Sequence, residues 1–269
     1  MSLLEAIILG IVQGLTEFIP VSSSGHLVVV PALLGWAEPG LAFDTMLHMG
    51  TLLALLVYFR HDWWALLRAG LGSLARRKVS TPEARLAWFI VIGCIPAALA
   101  GVLLQNWFAA MFSQPGQVGY FLLGTAALLA LGEVAGRRQR ELEKLNLLDT
   151  LVIGLMQAIA ILPGISRSGS TMAAGLLLGL KRPAAARFSF LLAAPIILGA
   201  GLTQMLGMLK LGGTSGQVGV LAVGFLVSAV VGYLAIDFLL RYLRTRTLYP
   251  FAAYCFAAGL LIIVLLGRV

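Results

Sequence analysis

The stretch Gln13-Gly-Leu-Thr-Glu17-Phe-Ile-Pro20-Val-Ser22-Ser23-Ser24-Gly25-His26 has a counterpart further along the chain, Gln157-Ala-Ile-Ala-Ile161-Leu-Pro163-Gly-Ile-Ser166-Arg167-Ser168-Gly169-Ser170-Thr171. Shifted by 144 without a gap, Gly10, Gln13, Ser22, Ser24, Gly25, Leu33, Leu34 and Gly35 fall on Gly154, Gln157, Ser166, Ser168, Gly169, Leu177, Leu178 and Gly179, which is 8 identities in 26 positions. An internal repeat constrains the architecture before any local pattern does. Both copies also carry polar or ionisable residues inside apolar sequence, so the same repeat points to the functional site.

Composition excludes a soluble domain. Of 269 residues, 60% are hydrophobic and only 11% charged, and apolar runs of spanning length recur along the chain. The net charge of +8 could suggest nucleic acid. Basic residues in the short loops of a membrane protein account for it better, and no nucleic-acid partner is expected. Cys94 and Cys255 lie in apolar runs and give neither a disulfide framework nor a metal-ligand spacing. The N-terminus lacks a basic segment and carries Glu5, Gln13 and Glu17, unlike a signal peptide.

Six apolar segments read as transmembrane helices, at about 43–60, 85–104, 118–135, 188–209, 218–240 and 250–267. Their connections alternate in charge. The 61–84 loop carries Arg68, Arg76, Arg77 and Lys78; the 136–147 loop carries Arg137, Arg138, Arg140 and Lys144; the 241–249 loop carries Arg241, Arg244 and Arg246. By contrast, 105–117 has no charge and 210–217 has only Lys210. The basic loops are expected on the cytoplasmic side.

Each repeat motif sits in a segment too short to span twice. The second apolar half of the later copy, Thr171 to Leu180, is about ten residues, or ~15 Å of helix, half of the hydrocarbon thickness. The expected architecture is an all-α polytopic membrane protein with six spans and two re-entrant helix–loop–helix segments. It forms one membrane domain over 1–269: repeat 1 covers about 1–135 with its re-entrant part at 1–35, and repeat 2 about 148–269 with its re-entrant part at 148–180. Three spans separate the copies, and three is odd, so the topology is inverted and the tips can meet near the midplane. Broken helices at that depth survive only when buried in protein or lining a wet cavity. The glycine pairs Gly10/Gly14 and Gly175/Gly179 would allow close helix packing around it.

The polar residues suggest a chemistry. Gln13 and Glu17 share a helix face one turn before Pro20. Ser22, Ser23, Ser24, Gly25 and His26 open a half-helix over Leu27–Leu34, as Ser166, Ser168, Gly169 and Thr171 surround the start of the other. Serines there cap the helix. A helix N-terminus also attracts anions through its free N–H groups and dipole. Arg167 takes the place of Ser23 in the second copy. Its fork suits phosphate oxygens, although an internal salt bridge with Glu17 is the alternative. Glu17 would repel a bound anion unless a divalent cation, Mg²⁺ or Ca²⁺, lies between them. Asp44 and His48 share a face of the first span; Asp237/Arg241 and Glu133/Arg137 read as interfacial pairs.

These segments, Gln13-xxx-Glu17, Pro20-Val-Ser-Ser-Ser-Gly-His26 and Pro163-Gly-Ile-Ser-Arg-Ser-Gly-Ser-Thr171, resemble the two signatures of the undecaprenyl-diphosphate phosphatases, the bacitracin-resistance family. The likeness extends over essentially the whole chain. The family's first signature has Glu or Gln followed by Glu four residues on; with Gln13 in the first place, Glu17 is left as the metal or base residue. The resemblance implies a bacterial inner-membrane, multi-pass hydrolase with its site facing the outside. It would convert undecaprenyl diphosphate to the monophosphate, recycling the lipid carrier for peptidoglycan and cell-wall synthesis. It also implies six spans with two re-entrant loops, a need for Mg²⁺ or Ca²⁺, contact with membrane lipids and homodimeric assembly. Glu17, Ser23, His26 and Arg167 are then the catalytic candidates, Glu17 also the metal ligand. Gln13, Ser22, Ser24, Gly25, Ser166, Ser168, Gly169 and Thr171 are the substrate-binding ones. Ser23 as nucleophile with His26 as proton acceptor stands beside a water activated by Glu17 or His26. The rival class is a transporter or flippase of an anionic polyprenyl phosphate lipid, since inverted repeats with broken helices are also a transporter plan.

Overall fold

The computed structural model describes residues 1–112, 114–210 and 218–266. Among these the chain is helical: α1 (Leu3–Phe18), α2 (Ser23–Leu34), α3 (Leu41–Tyr58), α4 (Arg60–Arg76), α5 (Pro82–Leu103), α6 (Gln105–Phe112), α7 (Pro115–Ala135), α8 (Leu147–Ile159), α9 (Arg167–Leu177), α10 (Arg182–Lys210), α11 (Val218–Tyr242) and α12 (Tyr249–Leu266). Helices α3, α5, α7, α10, α11 and α12 are long and apolar enough to cross a membrane, which makes this a multi-pass membrane protein. They match the six expected spans to within a few residues. Residue 267, expected to end the last span, and 211–217 of the neutral connection lie outside the described residues.

The two short helix pairs repeat landmark for landmark. Ser2 and Glu5 form a capping box at the start of α1, and Asn146 and Asp149 form one at the start of α8. Ser22 caps α2 by accepting from the Gly25 N–H, and Ser166 caps α9 by accepting from the Gly169 N–H. Gly35 (φ 65°) and Gly179 (φ 88°) follow α2 and α9 in the left-handed region. All these pairs lie 144 residues apart. The half-helices begin earlier than expected, at Ser23 and Arg167 rather than Leu27 and Thr171, because the serine caps start them. The breaks have a local cause: Ile19 precedes Pro20 and takes an extended conformation, ψ 131°, which ends α1.

Both feet of the α8–α9 hairpin are held at one end of the bundle. Arg140 donates to Asp149 Oδ1 at 3.0 Å, at the start of α8, and to the Leu178 carbonyl at 2.8 Å, just past α9. Its hydrogen bonds to Asp149 hold the guanidinium above its ordinary pKa. The same end gathers other basic connections. Glu133 at the end of α7 accepts from Arg138 Nη1 at 2.8 Å, from Arg182 Nε at 2.7 Å and from the Leu248 N–H at 2.7 Å. Glu133 is buried and does not pair with the expected Arg137; it ties α7, α10 and α12 together instead. Asp237 and Arg241 do pair, at 3.0 Å.

The α1–α2 hairpin comes from the opposite direction. Gly10 lies against Val227 and Gly14 against Val231, so α1 runs alongside α11 in the same sense, toward the basic end where α8 begins. In the second copy Gly154 makes the corresponding contact, against Gly93 of α5; of the pair Gly175/Gly179, Gly175 packs against Ala185, whereas Gly179 is a cap outside the helix. The 61–84 segment, expected as a loop, is mostly α4, with Asp62 in its first turn and Arg76 in its last, as the helix dipole favours. The uncharged 105–117 connection holds the short α6.

A methyl group on Gly14 would sit 2.7 Å from Val231 Cβ and 2.9 Å from the Gly232 nitrogen. Gly14→Ala is expected to cost about 1–3 kcal/mol through overpacking. Thermal unfolding in detergent should show it, with Gly72→Ala, which meets nothing within 4 Å, as the unaffected control.

Candidate active site at the meeting of two hairpin tips

The two tips touch. A side chain at Gly25 would come within 3.2 Å of Gly164 Cα, and one at Gly169 within 3.4 Å of Pro20 Cβ. Gly164 itself has φ 105°, a conformation that glycine reaches without strain. Thr125 of α7 fixes the second tip, accepting from the Ser166 N–H at 2.9 Å and donating to the Gly164 carbonyl at 2.9 Å.

Glu17 is the centre of the arrangement. It is buried, 6% exposed, at the last turn of α1. Its Oε1 accepts from Arg167 Nη2 at 2.8 Å; its Oε2 accepts from the Ser23 hydroxyl at 2.6 Å and from Gln13 Nε2 at 3.1 Å. Ser23 and Arg167 occupy equivalent places in the two copies, and each takes one oxygen of the same carboxylate. The structure thus shows the salt-bridge alternative for Arg167. Arg167 also donates to the Ser189 carbonyl at 3.3 Å. The Ser189 hydroxyl lies 2.6 Å from that of Thr171, which donates to the Arg167 carbonyl at 2.7 Å.

Two histidines lie differently from expectation. His26 does not meet Ser23. Its Nδ1–H donates to the Ser22 carbonyl at 2.7 Å, leaving Nε2 as an acceptor for the Tyr254 hydroxyl at 2.6 Å. The group that accepts the Ser23 hydroxyl's hydrogen bond is instead the Glu17 carboxylate. His48 of α3 stands with Nε2 3.8 Å from Glu17 Oε2. Its neighbour Asp44 bonds it only through the backbone carbonyl, at 2.8 Å. The hydroxyls of Ser22 and Ser24 are 3.3 Å apart, and those of Ser166 and Ser168 3.2 Å apart. Ser22 holds φ 71°, an uncommon value outside glycine and a local strain beside Ser23.

Sequence reasoning missed Thr125, Ser189 and Tyr254. The first two are polar residues inside long apolar runs, which is a usable signal in a membrane protein. A tyrosine such as Tyr254 sits readily at a membrane interface, and nothing marks it out.

Fold and site together define a polytopic membrane protein with a buried carboxylate, serine and arginine assembled from two broken helix pairs. Residues 6–261 match the family described as Bacitracin resistance protein BacA, and the chain belongs to that family. It is similar to proteins named undecaprenyl-diphosphatase. One from Pelobacter propionicus is 45% identical over 96% of this chain and 95% of its own length. One from Trichlorobacter lovleyi is 45% identical over 99% and 98%, and one from Rubrobacter xylanophilus 46% identical over 99% of each.

Arg167→Met would leave the Glu17 carboxylate buried and unpaired, at a cost of roughly 3–5 kcal/mol. Adding Glu17→Gln should recover most of the loss. A double-mutant cycle of detergent melting temperatures measures the coupling; additive single losses would argue against a structural pair.

Proposed function

We propose that this chain hydrolyses undecaprenyl diphosphate to undecaprenyl phosphate and inorganic phosphate. That would recycle the lipid carrier for peptidoglycan synthesis and underlie resistance to bacitracin. The observation that carries the reading is the Ser23–Glu17 hydrogen bond at 2.6 Å with Arg167 on the other carboxylate oxygen. A nucleophile, its proton acceptor and an anion-binding fork thus share one buried point. Both the family and the named relatives point to hydrolysis, and neither points to movement of the intact lipid.

In this reading the diphosphate draws Arg167 away from Glu17 and takes its guanidinium as a bidentate partner. The free N–H groups at the starts of α2 and α9 face the same charge. Glu17, released from Arg167, accepts the Ser23 proton as Ser23 Oγ bonds to the terminal phosphorus. The bridging P–O bond breaks and undecaprenyl phosphate leaves. Water then attacks the phosphorus of phosphoserine, the Oγ–P bond breaks, Glu17 returns its proton to Ser23 Oγ, and inorganic phosphate departs. His26 serves this second half: its Nδ1–H is fixed on the Ser22 carbonyl, so Nε2 carries the lone pair that a general base needs, and water takes the place of the Tyr254 hydroxyl on it. The exposed apolar flanks of the spans take the polyprenyl chain by burial of hydrocarbon.

A divalent cation fits this donor set as a partner of bound diphosphate. Gln13 Oε1 is buried with no protein partner and lies beside the Glu17 carboxylate and the Ser23 hydroxyl, all hard oxygen donors. Among the described residues no group of three or more His, Cys, Asp or Glu could hold a metal alone. Phosphate oxygens and water would complete the shell, as Mg²⁺ and Ca²⁺ accept, and the ion would offset phosphate charge. The same reading puts the chain in a bacterial inner membrane, with the basic end cytoplasmic, the site open to the outer face and homodimers as its assembly.

Glu17→Gln should lower kcat for phosphate release by roughly 10²–10⁴-fold. Ser23→Ala should lower it at least as far and abolish any trapped phosphoserine, whereas His26→Ala should let phosphoserine accumulate. Single-turnover phosphate formation without phosphoenzyme would remove Ser23 as nucleophile and leave a water activated by Glu17. Chelator should suppress turnover, and Mg²⁺ or Ca²⁺ should restore it; full activity in metal-free buffer would remove the cation.

A further inference from the structure

We infer that the basic end of the bundle holds a second anion site, separate from the tip cleft, for the phosphate of an anionic phospholipid headgroup. A cavity of about 580 Å³ lies between the ends of α3, α4, α10 and α11. Arg187, Arg241 and Arg244 line it together with Asp62, Asp237 and Tyr58. Arg187 pairs with Asp62, and Arg241 with Asp237, on which the Tyr58 hydroxyl also donates at 3.3 Å. The Arg244 guanidinium has no ion-pair or hydrogen-bond partner among the described residues. Three guanidiniums against two carboxylates leave one positive charge, which a single phosphodiester would balance.

The cavity does not belong to the catalytic cleft. Phe18 follows Glu17 and Phe190 follows Ser189; their rings meet edge to face with centroids 5.4 Å apart. Phe190 in turn meets Phe59, a cavity-lining residue, at 6.4 Å. Three packed rings therefore stand between the Glu17–Arg167 pair and the basic cavity.

A lipid suits the surroundings of this cavity. Beside it α11 exposes Leu234 (61%) and Phe238 (50%), within one turn of the lining residues Asp237 and Arg241. A basic pocket flanked by outward apolar side chains matches a phosphate head with its acyl chains lying along the helices. Arginine forks recognise phosphate oxygens by geometry as well as charge.

The test uses the full-length protein, delipidated in detergent and followed by native mass spectrometry. It is titrated separately with phosphatidylglycerol, with phosphatidylcholine and with inorganic phosphate. Phosphatidylglycerol should bind about tenfold more tightly than phosphatidylcholine, and the double variant Arg241→Gln/Arg244→Gln should lose about tenfold in that affinity. The single variant Arg244→Gln breaks no contact seen here and serves if the double variant does not fold. Phosphate release should stay at the wild-type rate in both, since neither arginine touches the tip cleft. Displacement of phosphatidylglycerol by inorganic phosphate would show that the phosphate group alone is read; lack of displacement would show that the acyl chains are needed. Equal affinity for the two lipids, or unchanged phosphatidylglycerol binding in the variants, would overturn the inference.

Discussion

A carboxylate and a guanidinium held inside an apolar helical bundle must find each other or another ion, because neither can stay charged alone there. Glu17 and Arg167 meet that constraint, and much of the architecture follows from the meeting. The two residues belong to helix breaks 150 residues apart in the chain. For them to touch, both breaks must lie at the same depth and both hairpins must point inward. The glycines at the tips permit the approach, and Thr125 satisfies two backbone groups of the second loop.

The ion pair is also poised for exchange. A buried pair contributes little net stability, since desolvation offsets most of the attraction. Replacing the Glu17 carboxylate by a diphosphate as the partner of Arg167 therefore costs little, provided that Glu17 gains something in return. In the proposed reaction a proton from Ser23, or a cation, would be that compensation. The group that would bind the anion is thus held on the same carboxylate that would be freed for chemistry, so that binding and activation would be one event.

Much of this was legible in the sequence, for physical reasons. Apolar runs long enough to span are hard to disguise, and all six appear where expected. The repeat was visible through residues with backbone duties, Ser22 and Ser166 as caps, Gly35 and Gly179 as left-handed turns. Its full extent was not, because the capping boxes use Ser2 and Glu5 in one copy and Asn146 and Asp149 in the other, different residues in the same role. Glu17, Ser23 and Arg167, grouped from the sequence, do lie together, but their pairings differ from those expected. One-dimensional spacing places His26 three residues from Ser23, which invites a partnership; in three dimensions the imidazole turns to Ser22 and Tyr254. His48 reaches Glu17 from another helix, a contact that sequence spacing does not encode.

The divergence between copies explains why the chemistry sits where it does. At matching positions Glu17 faces Ile161, Ser23 faces Arg167, and His26 faces Ser170. The first hairpin thus carries the carboxylate, the serine hydroxyl and the imidazole, and the second carries the guanidinium. Gln13 and Gln157 record the cost of this division. Gln13 donates to Glu17, whereas Gln157, with Ile161 in place of a carboxylate, has both amide atoms buried without a protein partner. Such a group is expensive in an apolar setting. Two complete carboxylate sites facing one phosphate would repel it twice; one carboxylate and one guanidinium at the same point do not.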